Sequence, residues 1–168
     1  MSLSSSPVHP PRGFSRTMWR LPVWLYRARL GWLITSHFLL LEHVGRQSGK
    51  ARQAVIEVVK RDKANDVYYV ASGFGRASDW YQNLLKTPQA KIHSGFRKAD
   101  VIAEVLPMEE AGEIIMEYAR RYPFAIRTLA RIIGYEVKKG KTDYREFAKA
   151  VPIVALKVCK NAPESNVS

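Results

Sequence analysis

Residues 45–52 carry the most distinctive chemistry of this chain. They read Gly-Arg-Gln-Ser-Gly-Lys-Ala-Arg, so Arg46, Lys50 and Arg52 place three cations within seven positions. The two glycines let the backbone turn tightly and approach a ligand closely. Arginine offers a planar fork for phosphate or carboxylate, and lysine offers a point charge. The segment is typical of a turn that holds an anion, although a basic turn taken alone is more often simply solvated. Its flanking pattern matches neither a Walker loop nor a Rossmann fingerprint.

A second segment combines a glycine loop with the start of a helix. Residues 72–76 read Ser-Gly-Phe-Gly-Arg, and Ser78 and Asp79 are residue types that favour a helix N-terminus. Such a start exposes backbone N–H groups and the positive end of the helix dipole, which attract anions. Trp80 follows directly. It either covers a bound aromatic ring or packs in the core at helical spacing, and from the pattern alone the core position is the favoured interpretation.

The elements around these two segments alternate between strand and helix patterns. Apolar runs separated by turn residues predict strands at 38–44, 51–62, 66–72, 90–94, 96–106 and 152–160. Helical spacing predicts helices after Pro22, from Ser78 to Pro88, over 109–133 with a break at Pro123, and over 144–150. Six short strands with inserted helices predict an α+β, mainly antiparallel fold built as a small closed or split barrel.

Length and composition predict one domain over residues 14–160, with disordered tails at 1–13 and 161–168. The net charge of +12 favours an anionic partner, namely nucleic acid, acidic lipid or a multiply charged small molecule. Nucleic acid is the least favoured, because the aromatic residues are not interleaved with cations in an RNA-binding pattern. The basic amphipathic helix after Pro22 would allow peripheral membrane contact, but packing of its tryptophan face on the barrel is the favoured interpretation.

Several patterns exclude other classes of protein. The chain shows no signal peptide and no apolar stretch long enough to span a membrane, so a cytoplasmic location is expected. The single cysteine, Cys159, lies in an apolar run and is predicted to be a buried thiol. His43 and His93 lie on different predicted strands without ligand spacing, so no metal site is predicted. No serine has the histidine and acid partners of a hydrolase.

Four segments, taken in order, resemble the deazaflavin-dependent nitroreductase family, whose members use the 8-hydroxy-5-deazaflavin coenzyme F-420. They are LLLEHVGRQSGKARQAVIEVV at 39–59, YYVASGFGRASDWYQNLLKTPQAKI at 68–92, YARRYP at 118–123 and VPIVAL at 151–156. The similarity spans residues 24–156. It implies a six-stranded split β-barrel related to flavin-binding oxidases, and a coenzyme with a phosphate and a poly-γ-glutamate tail. FMN is the less favoured alternative, since it also offers a phosphate and a tricyclic ring.

The resemblance also implies roles for individual residues. Arg46, Lys50 and Arg52 would hold the phosphate and tail, and Ser48 and Gly49 would shape that turn. The residues expected beside the deazaflavin ring are Val55, Ile56, Glu57, Ala71, Ser72, Gly75 and Trp80. Tyr122 would lie near the substrate and donate a hydrogen bond to it, with Tyr135 and Tyr144 as substitutes.

The sequence departs from the family pattern in the glycine loop. Gly73 stands where nitroreductases of the family often have lysine, Phe74 replaces a usual glycine, and Arg76 would supply the missing positive charge. The tyrosine-rich segment after the Tyr-Pro pair is also absent.

The resemblance therefore implies hydride transfer from the reduced coenzyme to a small electron-poor acceptor, with a quinone or enone ahead of a nitro compound. The alternative is a non-catalytic protein that binds a flavin, lipid or other hydrophobic ligand in the same barrel. Either protein would be a monomer or a homodimer.

Overall fold

The computed structural model describes residues 37–132 and 144–159. The predicted helix after Pro22, both predicted tails and Tyr135 lie outside the described residues.

Six antiparallel strands close into one barrel. Their bounds are β1 Phe38–Val44, β2 Ala51–Asp62, β3 Val67–Ala71, β4 Gln89–Ser94, β5 Arg97–Val105 and β6 Ile153–Val158. The strand order around the barrel is β1-β2-β3-β6-β5-β4, and β4 pairs with β1 to complete the circle. The predicted six-stranded barrel is confirmed, with each strand boundary within two residues of its predicted position.

Alternation along the strands fills the barrel interior. Leu39 and Leu41 of β1, Ile56 of β2, and Val154 and Leu156 of β6 are all buried in one apolar cluster. Successive strand residues point to opposite faces, so each strand contributes every second side chain to this core. Burial of these aliphatic side chains is the main favourable term in the stability of the barrel.

Within residues 37–132 and 144–159, four helices accompany the barrel. They are α1 Asp79–Lys86, α2 Met108–Arg121, α3 Pro123–Ile132 and α4 Tyr144–Ala150, and a 3₁₀ turn at Gly75–Ala77 precedes α1. α2 and α4 cover the outer face of the sheet in a second apolar cluster that includes Ile115, Phe147 and Ile153. No helix among the described residues combines the length and the apolar character that crossing a bilayer requires.

The predicted break at Pro123 is confirmed. α2 ends at Arg121, and Tyr122 has a non-helical backbone with φ −132° and ψ 67°. The ring of a proline disfavours helical backbone in the residue before it, and Pro123 then starts α3 at the position where proline is best tolerated. The break fixes the position of Tyr122 at the junction of two helices.

An ion cluster ties the β2–β3 turn to the β4–β5 turn. Asp66, at a positive φ of 57°, accepts two hydrogen bonds from Arg97, at 2.7 and 2.5 Å, and one from Arg61. The hydrogen bonds from Arg97 and then from Arg61 hold the pKa of the Asp66 carboxyl well below its usual range. The Arg61 guanidinium also lies 3.8 Å from the centre of the Tyr68 ring.

The prediction of a buried thiol was wrong, because Cys159 is exposed. Cys159 follows the last residue of β6, and its backbone N–H donates to the Asp100 carbonyl at 2.9 Å. The backbone therefore still pairs with the barrel, while the side chain lies beyond the end of the core. An apolar run marks a buried strand, but it does not show at which residue the burial stops.

Candidate functional site

A cavity of about 700 Å³ opens between the β1–β2 turn and the start of α1. This volume is in the range typical of pockets for small molecules and cofactors. Its lining residues are His43, Gly45, Arg46, Gln47, Ser48, Arg52, Gln53, Ala54, Phe74, Ala77, Ser78, Asp79, Trp80 and Asn83. The two segments that the sequence singled out for their chemistry, at 45–52 and 72–84, therefore lie on the same cavity.

The β1–β2 turn is shaped by its own backbone and by its glycines. Gly45 N–H donates to the Lys50 carbonyl and Gly49 N–H to the Gly45 carbonyl, both at 2.8 Å. Gly49 has a positive φ of 64°, which glycine adopts without strain. Lys50 and Gly49 are exposed in this turn, beside the lining residue Ser48. The turn thus contributes Arg46, Ser48 and Arg52 to the cavity lining.

Asn83 anchors this turn to α1. Its Oδ1 accepts hydrogen bonds from the Arg46 backbone N–H at 2.9 Å and from Arg46 Nη1 at 3.1 Å. The Asp79 carboxylate is also 3.0 Å from Arg46 Nη1, and Lys86 Nζ donates to the Arg46 carbonyl at 2.9 Å. Arg46 is therefore already engaged by α1, so its guanidinium acts first as a brace of the turn.

Arg52 has a different environment. It is exposed, lines the cavity, and its Nη2 is 3.5 Å from Ser48 Oγ. Across residues 37–132 and 144–159, no carboxylate forms an ion pair with Arg52. Its fork of N–H donors is thus available to an anionic group in the cavity.

His43 faces Arg52 across the β1–β2 pair and is only 5% exposed. Burial lowers the pKa of His43 below its ordinary 6.5, and the nearby Arg52 cation lowers it further. The backbone of Val44 and the Asp79 carboxylate act in the opposite direction. At neutral pH His43 is therefore an uncharged polar group in the cavity wall.

The loop at 72–78 is held by two serine hydroxyls. Ser72 is fully buried, and its Oγ is 2.6 Å from both the Gly75 carbonyl and Ser78 Oγ. A hydroxyl has one hydrogen, so Ser72 donates to the carbonyl and Ser78 donates to Ser72. Ser78 is the N-cap residue of α1, as predicted, but its hydroxyl ties the loop together and does not cap the helix.

Two aromatic residues, Trp80 and Phe74, also line the cavity. Trp80 is half-buried, packs against the barrel core, and also lines the cavity beside Phe74. The interpretation of Trp80 as a core residue therefore describes part of its environment, and its role as a cover for a bound ring stays a prediction.

The structure brings together some of the predicted site residues and separates others. Arg46, Ser48, Arg52 and Trp80 line the cavity. The remaining members of the predicted set, none of which lines this cavity, are Gly49, Lys50, Val55, Ile56, Glu57, Ala71, Ser72, Gly75, Arg76 and Tyr122.

Those remaining residues have clear positions of their own. Val55, Ile56 and Glu57 continue β2 beyond the lining residue Ala54, and the Ile56 side chain is buried in the barrel core. Ala71 is buried under the helical layer. Arg76 is exposed on the 3₁₀ turn, where its carbonyl accepts a hydrogen bond from Gln82 at 2.7 Å.

Tyr122 lies in a second polar cluster, under α2. Its ring is 5.2 Å from that of Tyr118 and 5.1 Å from that of His37. The Tyr118 hydroxyl donates to Glu57, and burial together with this hydrogen bond raises the pKa of Tyr118 well above its usual range. Tyr118 contacts both residues, so it links the Tyr122 ring to the Glu57 carboxylate. Of the two proposed substitutes, only the backbone of Tyr144 is described, in α4.

The sequence interpretation assigned no role in the site to His43 and Asn83, two polar residues that line the cavity. Alternation along β1 places His43 on the same face as Leu39 and Leu41, so period two predicts that it points inward. Asn83 lies between Tyr81 and Leu84 on the buried face of α1, where an amide must find partners inside the protein. The sequence contained both signals. It did not show that the two side chains, 40 positions apart, contact each other.

The residues present are compatible with a deazaflavin coenzyme. Arg52 and Ser48 offer donors for a phosphate, the exposed Lys50 lies next to them, and Trp80 and Phe74 provide apolar surface for a ring. The cavity lining therefore combines cationic and hydroxyl donors with aromatic residues.

The chain matches a known protein family over most of its length. The family model described as F420H(2)-dependent quinone reductase matches residues 18–154. Rv3178 of Mycobacterium tuberculosis, which carries the name of an F420H(2)-dependent quinone reductase, is 36% identical over 78 residues. That match covers 45% of this chain and 64% of the relative, so the chain spans less than two thirds of the length of this curated relative.

Solved structures share the fold at low sequence identity. Rv2991 of Mycobacterium tuberculosis is 12% identical with a TM-score of 0.52, and the match covers 80% of each chain. The haem storage protein HutZ of Vibrio cholerae is 14% identical with a TM-score of 0.51, covering 81% of this chain and 91% of that one. These likenesses support the split barrel as the fold. Because the family model matches more than half of the sequence, the chain belongs to the F420H(2)-dependent quinone reductase family.

Proposed function

We propose that this protein transfers a hydride from the reduced deazaflavin coenzyme F-420 to a small electron-poor acceptor, with a quinone as the first candidate. The observation that carries the proposal is the cavity that Arg52, a cation without a carboxylate partner among the described residues, lines together with the aromatic residues Trp80 and Phe74. Family membership supports the same coenzyme. Enones and nitro compounds are further candidate acceptors, and the cytoplasm is the proposed location.

The side chains of the cavity bind and orient the coenzyme in this proposal. Arg52 binds the phosphate with help from the Ser48 hydroxyl, Lys50 attracts the anionic tail, and Arg46 keeps the turn in place through Asn83. Trp80 and Phe74 cover the ring and exclude water. The bound coenzyme supplies the hydride, so the protein has to supply orientation and a proton.

The deazaflavin ring is proposed to lie along residues 55–57 of β2, with residues 71–75 on its other side. Ile56 and Ser72 are 3% and 0% exposed, so they would support this ring site from behind and would not contact the ring themselves. Tyr122 is the proposed proton donor. Support comes from its neighbour Tyr118, whose hydroxyl binds Glu57 and whose ring contacts that of Tyr122.

The test is a fluorescence titration of the protein with the oxidised deazaflavin coenzyme and, separately, with FMN. We expect micromolar affinity for the deazaflavin and much weaker binding of FMN. Arg52→Ala should weaken deazaflavin binding about tenfold, because a charge-assisted hydrogen bond to the phosphate is lost. Lys98→Ala is the matched control, since Lys98 is an exposed cation on β5 outside the cavity.

The titration is followed by turnover measurements with the reduced coenzyme and a water-soluble quinone. Accelerated oxidation of the coenzyme is expected. Tight binding without acceleration would instead favour a non-catalytic binding protein on the same barrel. Equal affinities of the Arg52→Ala and Lys98→Ala proteins would remove Arg52 from the anion site.

A further inference from the structure

We propose that Asn83 is a positioning residue that holds His43 in the cavity wall as a neutral imidazole with its hydrogen on Nε2. This assignment of charge and tautomer comes from the described contacts alone. Its consequence for coenzyme binding rests on the proposed function.

The orientation of the Asn83 amide follows from a neighbouring group that can only donate a hydrogen bond. The Arg46 backbone N–H, 2.9 Å from the Asn83 side chain, can only donate, so the atom facing it must be the amide oxygen. Arg46 Nη1, also a donor only, is 3.1 Å from the same oxygen. Exchange of the amide oxygen and nitrogen, the usual ambiguity of asparagine, would oppose donors to donors at both contacts.

The tautomer of His43 follows from this orientation. With Oδ1 facing Arg46, the NH₂ group of Asn83 faces His43 Nδ1 at 3.1 Å. Both residues are at least 95% buried, so an unsatisfied donor there would carry a desolvation penalty. The Asn83 NH₂ donates, so His43 Nδ1 must accept. A neutral imidazole that accepts at Nδ1 carries its hydrogen at Nε2.

The same contact resists protonation of His43. An imidazolium has N–H groups at both nitrogens, so it would oppose an N–H to the Asn83 NH₂ group and lose that hydrogen bond. The charged groups around the ring come from three elements: Arg52 on β2, Asp79 on α1 and Arg46 in the turn. Asp79 favours the imidazolium, but its carboxylate is already paired with Arg46 at 3.0 Å. The hydrogen bond with the Val44 backbone also favours the imidazolium, but burial is the larger effect, acts in the same direction as Asn83 and lowers the pKa of His43.

A neutral His43 leaves recognition of an anion to the arginines and the lysine. In the unaltered protein, protonation of His43 should therefore change the coenzyme affinity little between pH 6 and pH 8. Replacing Asn83 by aspartate keeps an acceptor for Arg46 but replaces the donor facing Nδ1 with a second acceptor. That variant should favour the imidazolium, so a positive charge would appear beside the cavity as the pH falls.

The first test uses the unaltered protein. Long-range ¹H–¹⁵N spectra of the histidine rings, recorded from pH 5 to pH 8, report the tautomer and the titration midpoint. The His43 signals are identified by their loss in His43→Asn. We expect the Nε2–H pattern and a midpoint below the ordinary 6.5. An Nδ1–H pattern, or a midpoint at or above 6.5, would overturn the assignment.

The second test compares Asn83→Asp with Gln82→Glu, which makes the same change of amide to acid one residue earlier, at a side chain that contacts Arg76. In Asn83→Asp we expect the His43 midpoint to rise above 6.5, and deazaflavin affinity to improve about threefold from pH 8 to pH 6 relative to the unaltered protein. Gln82→Glu should leave both the midpoint and the pH profile unchanged.

The outcomes separate the two proposals. If the unaltered protein does not bind the coenzyme, the proposed function fails, while the ring spectra still decide the role of Asn83. If Asn83→Asp folds but leaves the tautomer and the midpoint of His43 as they were, Asn83 does not control His43. If that variant does not fold, the ring spectra of the unaltered protein decide whether His43 is the neutral Nε2–H tautomer that the Asn83 contact requires.

Discussion

Arg46 and Arg52 carry the same charge but have different partners in the folded protein. Arg46 Nη1 is 3.0 Å from Asp79 and 3.1 Å from Asn83, whereas the nearest polar contact of Arg52 is the Ser48 hydroxyl at 3.5 Å. The energy of an arginine–anion contact depends on whether the guanidinium must first give up another partner. Arg46 therefore braces the turn, and Arg52 is the better candidate to bind a ligand.

Replacement of Tyr122 by phenylalanine tests the proposed proton donor. The change removes the hydroxyl but keeps the ring contacts with Tyr118 and His37. We expect quinone turnover to fall by about tenfold or more, because general acid catalysis is lost, with deazaflavin affinity changed less than about twofold. Stopped-flow oxidation of the reduced coenzyme measures the first quantity, and fluorescence titration the second.

Tyr69→Phe serves as the control for this change, since Tyr69 packs on the same helical layer from β3. Equal turnover in the Tyr122→Phe and Tyr69→Phe proteins would exclude Tyr122 as the donor.

At the scale of elements, the loop before α1 packs closely against the end of α4 at Gly75. Gly75 has a positive φ of 63°, and a Cβ atom there would lie 2.7 Å from the Ala150 carbonyl oxygen at the end of α4. The loop that carries Phe74 and Ser78 to the cavity thus packs so closely on α4 that position 75 has no room for a side chain. The position of the cavity wall depends on this packing between distant parts of the chain.

Substitution of Gly75 by alanine should destabilise the fold more than the same substitution at Gly95. Gly95 has a similar φ of 60°, but a Cβ atom there would meet no other atom within 4 Å. Both variants lose about 1 kcal/mol from left-handed backbone, and Gly75→Ala should lose about 1–3 kcal/mol more from the clash. Urea denaturation measures both free energies of unfolding. Equal losses would mean that the Ala150 contact relaxes at little cost.

For the whole molecule, the net charge of +12 sets the long-range attraction of anions. Added salt screens this attraction, with a Debye length of about 10 Å at 0.1 M. We expect the affinity for the multiply charged deazaflavin coenzyme to fall about tenfold between roughly 0.05 and 0.5 M salt. The fall should be smaller in Arg52→Ala, which has lost a direct contact with the anion. Titration at a series of salt concentrations checks this, and an affinity independent of salt would contradict it.

Local sequence patterns predict part of this structure. Alternating apolar residues and the glycine turns at 45–49 and 95 predict the strands and their hairpins, because period two and positive φ are local properties. Pro123 likewise marks the division between α2 and α3, since its effect acts on the adjacent residue. The motifs at 45–52 and 72–84 also indicated the family and the coenzyme.

The sequence by itself determined the barrel, its turns, the family and the two segments that meet at the cavity. The tertiary structure alone decided that Asn83 would join His43 to Arg46, and that Asp79 would pair with Arg46 while Arg52 kept no carboxylate partner among the described residues. It also decided that Cys159 would be exposed. Those outcomes depend on which side chains meet when elements distant in the chain pack together. Periodicity and turn chemistry specify each element, whereas partners across 33 to 40 positions arise only from the geometry of the closed barrel and its helices.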